Sequence, residues 1–249
     1  MAVNAPVTAP KTSAPERQRR GRLFMTVYVT ALVLMTAAFV GLALVARTED
    51  VIVGFDAPVA VAIQTIHFPV ATWVLVHMSY LGWAPYDIGI VVAIAAALVA
   101  LRLRLEAALV VASTVLAGGA GTLVKDLVQR ARPTADYVHL AGHLADFSFP
   151  SGHVIFATVL FGSTFAIVWI VWPNSVLRDL VLVVLLALVL LMGPSRIYWG
   201  EHWPTDVLGA YCLGGLWLAG TVELLLVLRP RVSPWWQGRD FRKKWRALA

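Results

Sequence analysis

Charge is scarce in this chain. Only 14% of its 249 residues are Asp, Glu, Lys or Arg, against about 25% in a soluble globular domain. Together with a hydrophobic content of 59%, that scarcity excludes an ordinary water-soluble globule. Cysteine is nearly missing as well. Cys212 stands alone in an apolar run, so no intramolecular disulfide can form and cysteine usage says little about compartment. Carboxylates are few, and nowhere do they gather with histidines in the manner of a metal site. No internal repeat is visible, which argues against a transporter built from inverted halves. The net charge of +6 does not point to nucleic acid, because the basic residues concentrate in the two tails.

What is present is a series of apolar runs, several of them reaching the roughly 20 residues needed to cross a bilayer. They predict an all-α fold: a polytopic membrane helical bundle with six transmembrane helices and an interfacial helix between the first and second. Residues 1–22 read as a disordered cytoplasmic basic tail, 23–228 as one six-helix membrane domain, and 229–249 as a second cytoplasmic tail, basic and rich in Trp. Phe24 to Ala46 forms the first span, too long for a signal-peptide core of about 7–15 residues. The others run from Ile88 to Leu101, Ala107 to Leu127, Ser151 to Trp172, Leu180 to Met192 and Pro204 to Leu228, with polar loops at 128–150 and 193–203. Small residues Ala117, Gly118, Gly119 and Gly121 in the third span permit close helix approach. Between the first two spans, 47–85 combines helical apolar spacing with Gln64, His67, Pro69 and His77, and is read as lying along the membrane surface. His67 and His77 have no partner motif and read as plain interfacial histidines.

The distribution of Lys and Arg decides the orientation. With six spans, fifteen of the 20 basic residues fall inside and five outside, in accord with the positive-inside rule. A seventh span at 56–82 would put the two basic tails on opposite sides. Six spans place the chain in the cytoplasmic membrane as a multi-pass protein. Three chemically notable stretches then share the extracytoplasmic face, and they contain most of the cations that depart from the rule.

The stretches are Lys125 to Pro133, Phe149 to His153, and Ser195-Arg196 followed by His202 to Asp206. Cleaving a phosphate ester spreads charge over the phosphoryl oxygens, so a site must supply fixed cations and backbone donors. Lys125, Arg132 and Arg196 offer the cations, the arginines with bidentate geometry. Ser151 and Gly152 open the fourth helix, where free N–H groups and the helix dipole favour an anion. Gly152 also lets backbone approach closely. His202 lies just outside the last helix and Asp206 in its first turn. The carboxylate can therefore orient the imidazole and leave its other nitrogen free to attack. His153 can protonate the leaving oxygen. Each pattern alone is common by chance; three in order on one face are not.

The spacing Lys-x6-Arg-Pro, then Pro-Ser-Gly-His, then Ser-Arg-x5-His-x3-Asp resembles the type 2 phosphatidic acid phosphatase superfamily, which also contains vanadium haloperoxidases and glucose-6-phosphatase. Lys125, Arg132, Pro133, Pro150, Ser151, Gly152, His153, Ser195, Arg196, His202 and Asp206 all match. The resemblance implies a helical catalytic core without metal or other cofactor. It implies a phosphohistidine intermediate on His202, His153 as acid, and Lys125, Arg132, Ser151, Gly152 and Arg196 holding phosphate. It further implies a lipid phosphate as substrate: phosphatidic acid, phosphatidylglycerol phosphate or undecaprenyl diphosphate. The expected partners are that lipid and the bilayer, not nucleic acid; self-association is left open. A phosphotransferase with the same site is the nearest alternative. A haloperoxidase is disfavoured by six spans, and a non-enzymatic scaffold or transporter by the clustering of charge at one surface.

Overall fold

The computed structural model describes residues 14–142 and 145–232, and every regular element among them is helical. In chain order these are α1 (Ala14–Val45), α2 (Glu49–Val51), a π-helical turn (Ile52–Asp56), α3 (Ala57–Gln64), α4 (Pro69–Tyr80), α5 (Tyr86–Ala100), α6 (Arg104–Val128), α7 (Gly152–Val171), α8 (Val176–Tyr198) and α9 (Pro204–Val232). Five are long and apolar enough to cross a bilayer: α1 from Gly21, α6, α7, α8, and α9 as far as Arg229. Helix α5 is apolar but has only 15 residues.

Helix α7 is apolar on every side, the pattern of a helix surrounded by others. It occupies the centre, packed against α6, α8 and α9. Small residues let the axes close in: Gly121 of α6 faces the Ile155 side chain, and Gly214 of α9 faces Thr158. Helix α1 lies on the outside of α9, with Met35 against Gly215, and its apolar window buries nothing further. Those side chains form a surface suited to lipid. At the end of the bundle away from the motifs, Arg229 of α9 pairs with Glu106 of α6 at 3.1 Å, both buried. Thr221 donates to Ser113 at 2.9 Å and ties the same two helices.

The connection between α1 and α5 stays at the motif end. Asp56 meets Thr205 at the start of α9, the Gln64 amide donates to the Tyr198 carbonyl of α8, and Ser79 pairs with Ser195. Between these contacts the chain bends by 119°.

Several helix boundaries differ from the sequence reading, most of all the start of α1 and the end of α8. Helix α1 begins at Ala14, inside the stretch expected to be a disordered tail; residues 1–13 and 233–249 lie outside the described residues. More consequentially, α8 continues to Tyr198, so Ser195 and Arg196 are helical and not in a loop from 193. Pro194 removes one helical N–H. The vacated acceptor, the Leu190 carbonyl, lies 3.0 Å from the Tyr211 hydroxyl, which also lies 2.9 Å from the Val189 carbonyl and accepts from Gly193 N–H at 3.1 Å. The proline therefore does not end the helix.

Candidate active site

The site is assembled where α6 ends, α7 begins, and α8 passes into α9. Helix α6 stops at a left-handed Gln129 whose N–H caps the Lys125 carbonyl at 2.8 Å. The chain leaves in an extended path, which turns Arg130 and Arg132 into the protein. Ser151 precedes the first residue of α7 with extended backbone angles, leaving its own hydroxyl buried and without a partner among the described residues. Between α8 and α9, Gly200 takes a φ of +70°, and the His139 carbonyl sits against its α-carbon. Only glycine meets both conditions. That tight turn delivers His202 to the centre.

Lys125, Arg132, Gly152, His153 and His202 line one cavity of about 680 Å³. Its charged end also holds Asp146. Its other wall runs between α5 and α6 over Val91, Val92, Val115 and Phe156. Ser151, Arg196 and Asp206 lie behind the cavity wall, fully buried. The eight expected residues thus share one end of the bundle, five on the cavity and three supporting it.

The Asp206 Oδ2 lies 3.5 Å from His202 Nδ1, and this oxygen already accepts from Trp203 N–H at 2.8 Å and from the Ser148 hydroxyl. On the far side, His202 Nε2 is 3.4 Å from Arg132 Nη1. The imidazole is buried. That burial, and then the charges of Arg132, Arg196 and Lys125, push its pKa well below the ordinary value, partly opposed by Asp146. His202 is therefore neutral at neutral pH, with Nε2 facing the cations.

The cations have internal partners. Arg132 donates to the Asp146 carbonyl at 2.9 Å and the Glu201 carbonyl at 2.6 Å, and pairs with the Asp146 carboxylate at 2.6 Å. Lys125 pairs with the same carboxylate and donates to the Phe147 carbonyl at 2.8 Å. Burial alone would raise the Asp146 pKa; the hydrogen bond and charge of Lys125, with the charge of Arg132, outweigh it and hold the group at about 2. Arg196 pairs with buried Glu201 and lies over the Trp83 ring, 6.0 Å from its centroid. The His153 ring packs against Gly82 and edge-on to Trp83, and its Nε2 is buried without a partner among the described residues.

Six residues of this site escaped the sequence reading: Asp56, Arg130, Asp146, Ser148, Glu201 and Thr205. Arg130 is the most consequential. It does not line the cavity beside Arg132 but is a buried link, donating to Asp206 at 2.6 Å and pairing with Asp56. The only cue to it was a further cation on the face that should be poor in them. His67 and His77 stay outside the site, as expected: His67 is exposed, and His77 stacks on Trp73.

The sequence profile described as the PAP2 superfamily matches residues 105–229, half of the chain and all of the motif residues. The protein belongs to this family. Phosphatidylglycerophosphatase B of Bacillus subtilis (strain 168) is 34% identical over 93 residues, 37% of this chain and 44% of that protein. A protein of Escherichia coli (strain K12) that carries an undecaprenyl-diphosphatase name, YbjG, is 40% identical over 72 residues, 29% of this chain and 32% of that one. The chain thus spans less than half the length of each. The crystal structure of a transmembrane PAP2-type phosphatidylglycerolphosphate phosphatase from Bacillus subtilis shares the fold with a TM-score of 0.69. It covers 81% of this chain and 97% of that one at 24% identity. The protein is a multi-pass membrane member of the PAP2 family.

Proposed function

We propose that this protein is a lipid-phosphate phosphatase that works through a phosphohistidine on His202. One observation carries the reading: a cavity whose charged end holds a neutral histidine facing cations, and whose other wall is an apolar groove between membrane helices. A lipid phosphate has that polarity, with the headgroup at the cations and an acyl or prenyl chain along Val91, Val92 and Val115.

In the first step His202 Nε2 attacks phosphorus while the ester or anhydride oxygen departs. Lys125, Arg132, Arg196 and the N–H groups at the start of α7 take up the charge of the phosphoryl oxygens. Asp206 holds the Nδ1 side and stabilises the imidazolium that forms. His153 protonates the leaving oxygen. In the second step water attacks phosphorus, His153 accepts the proton, and His202 is released with inorganic phosphate. All of these roles fall to side chains and backbone, so no metal enters.

The substrates to which this reading extends are phosphatidic acid, phosphatidylglycerol phosphate and undecaprenyl diphosphate. A detergent assay of phosphate release against these three, with and without EDTA, tests it. Release from at least one, unaffected by chelator and absent in His202→Ala, is the expected result; activity that needs an added divalent ion would refute it. We place the site on the extracytoplasmic face, with six spans and residues 49–80 at the membrane surface. The positive-inside count and the return of that segment to the motif end of α8 support this. A cysteine at Ala135 in a Cys212→Ala background should react with an impermeant reagent in intact cells; protection there until the membrane is opened would reverse the orientation.

A further inference from the structure

Asp56 is a fully buried carboxylate that this chemistry leaves without a role. It sits on the π-helical turn, 149 positions before Thr205 in the chain, and is 0% exposed. Its Oδ1 accepts the Thr205 N–H at 2.8 Å, its Oδ2 accepts the Thr205 hydroxyl at 2.8 Å, and Oδ2 pairs with Arg130. Arg130, 1% exposed, turns its other guanidinium nitrogen to Asp206, also 0% exposed, at 2.6 Å. Asp206 in turn backs His202. The result is a buried chain, Asp56 to Arg130 to Asp206 to His202, with one cation between two carboxylates, built from three distant parts of the sequence.

Charge decides what such a chain can do. Arg130 and Asp206 alone would form a neutral pair, and a carboxylate committed to a guanidinium is a weak partner for an imidazole that must become cationic. A second carboxylate behind Arg130 restores one net negative charge to the group. A neutral Asn or Ser would cap the start of α9 equally well; the charge is what only an aspartate adds. Burying that charge carries a desolvation cost that stability alone does not require.

We infer that Asp56 is a positioning residue for phosphoryl transfer, acting through Arg130 to hold Asp206 oriented and its charge available to His202. The inference rests on His202 being the nucleophile. It predicts an effect on turnover and not on anion binding, because neither Asp56 nor Arg130 lines the cavity.

The test is a double-mutant cycle on the purified full-length protein, comparing Asp56→Asn, Asp206→Asn and the double variant with wild type. The readouts are kcat on the best lipid substrate and inhibition by orthovanadate. In Asp56→Asn, kcat should fall about tenfold or more while the vanadate inhibition constant stays within about threefold. In the Asp206→Asn background the further loss should shrink to less than about threefold, the signature of residues acting as one unit. Wild-type kcat in Asp56→Asn, or losses that multiply in the double variant, would overturn the inference. If Asp56→Asn does not fold, Arg130→Lys replaces it in the cycle, since lysine keeps the charge but cannot bridge two carboxylates. A wild-type kcat there would equally overturn it. His202→Ala in the same series separates the two levels. A trapped phosphoenzyme that survives in His202→Ala removes the nucleophile assignment and this inference with it. Its loss in His202→Ala beside unaltered Asp56→Asn removes the inference alone.

Discussion

The Tyr211 hydroxyl on α9 lies 3.0 Å from the Leu190 carbonyl, the acceptor that Pro194 leaves without a helical donor, and accepts the Gly193 N–H at 3.1 Å. One side chain therefore carries α8 across its proline and fixes the direction in which Arg196, two residues on, enters the site. Arg196 is buried and has nowhere else to turn.

Tyr211→Phe should leave those backbone groups unsatisfied at a cost of about 1–3 kcal/mol. We expect a lower Tm in detergent and weaker vanadate inhibition, since Arg196 loses its bearing. A Phe variant with wild-type Tm and wild-type vanadate affinity would show that the helix passes Pro194 without help.

Asp146 occupies both Lys125 and Arg132, the cations to which the proposed mechanism gives the phosphate. Its carboxyl, with a pKa of about 2, is ionised throughout any assay range. Asp146→Asn should therefore tighten binding of inorganic phosphate and vanadate, by up to about fivefold for a half-exposed pair, and increase product inhibition. The sign for stability is opposite. A carboxylate whose folded pKa is depressed stabilises fully above its unfolded value, here 3.8. That contribution is lost as pH falls through about 2. Unfolding midpoints of wild type and variant should converge at the acid end; weaker phosphate binding in the variant would mean that Asp146 holds the cations in place and does not compete for them.

Gly82 packs directly on the His153 imidazole, and a Cβ there would meet the ring. Gly82→Ala should displace the acid and lower kcat about tenfold or more on an alkyl lipid phosphate, and less on an aryl phosphate whose leaving group needs little protonation. Gly89→Ala, where a Cβ meets nothing within 4 Å, is the control and should be silent. Equal losses on both substrates would detach His153 from leaving-group protonation.

His202 is held neutral by burial and by the charges of Arg132, Arg196 and Lys125. Its folded pKa lies below the ordinary 6.5 of a histidine, so protonation, and with it loss of the nucleophile, begins only at lower pH. The acid limb of kcat/KM, after allowance for titration of the substrate phosphate, should fall below pH 6.5. The same group costs stability in acid, because the unfolded chain takes up the proton first. An acid limb centred at or above that value would mean that His202 is not shielded as the structure shows.

Much of this was legible in the sequence because it is local. An apolar run of some twenty residues needs no partner to be read as a membrane helix, since the bilayer itself supplies the solvent. Lys125, Arg132, Ser151, Gly152, His153, Arg196, His202 and Asp206 could be read because each lies within a short segment whose spacing already limits what it can do. The residues that line and back the cavity could therefore be named beforehand. What lies behind it was not. That Arg130 points into a pair of carboxylates, that Asp56 and Thr205 meet across 149 positions, and that Asp146 and Glu201 neutralise the cations are facts about segments brought together only by packing. No local spacing encodes which of two arginines, two residues apart, turns toward the cavity. The same holds for Pro194, which by itself signals a helix end. Only Tyr211, on another helix, supplies the hydrogen bonds that let α8 continue. The sequence alone determined the membrane class and which motif residues stand at the cavity; the tertiary structure decided which charges are paired, because pairing depends on distance in space and not along the chain.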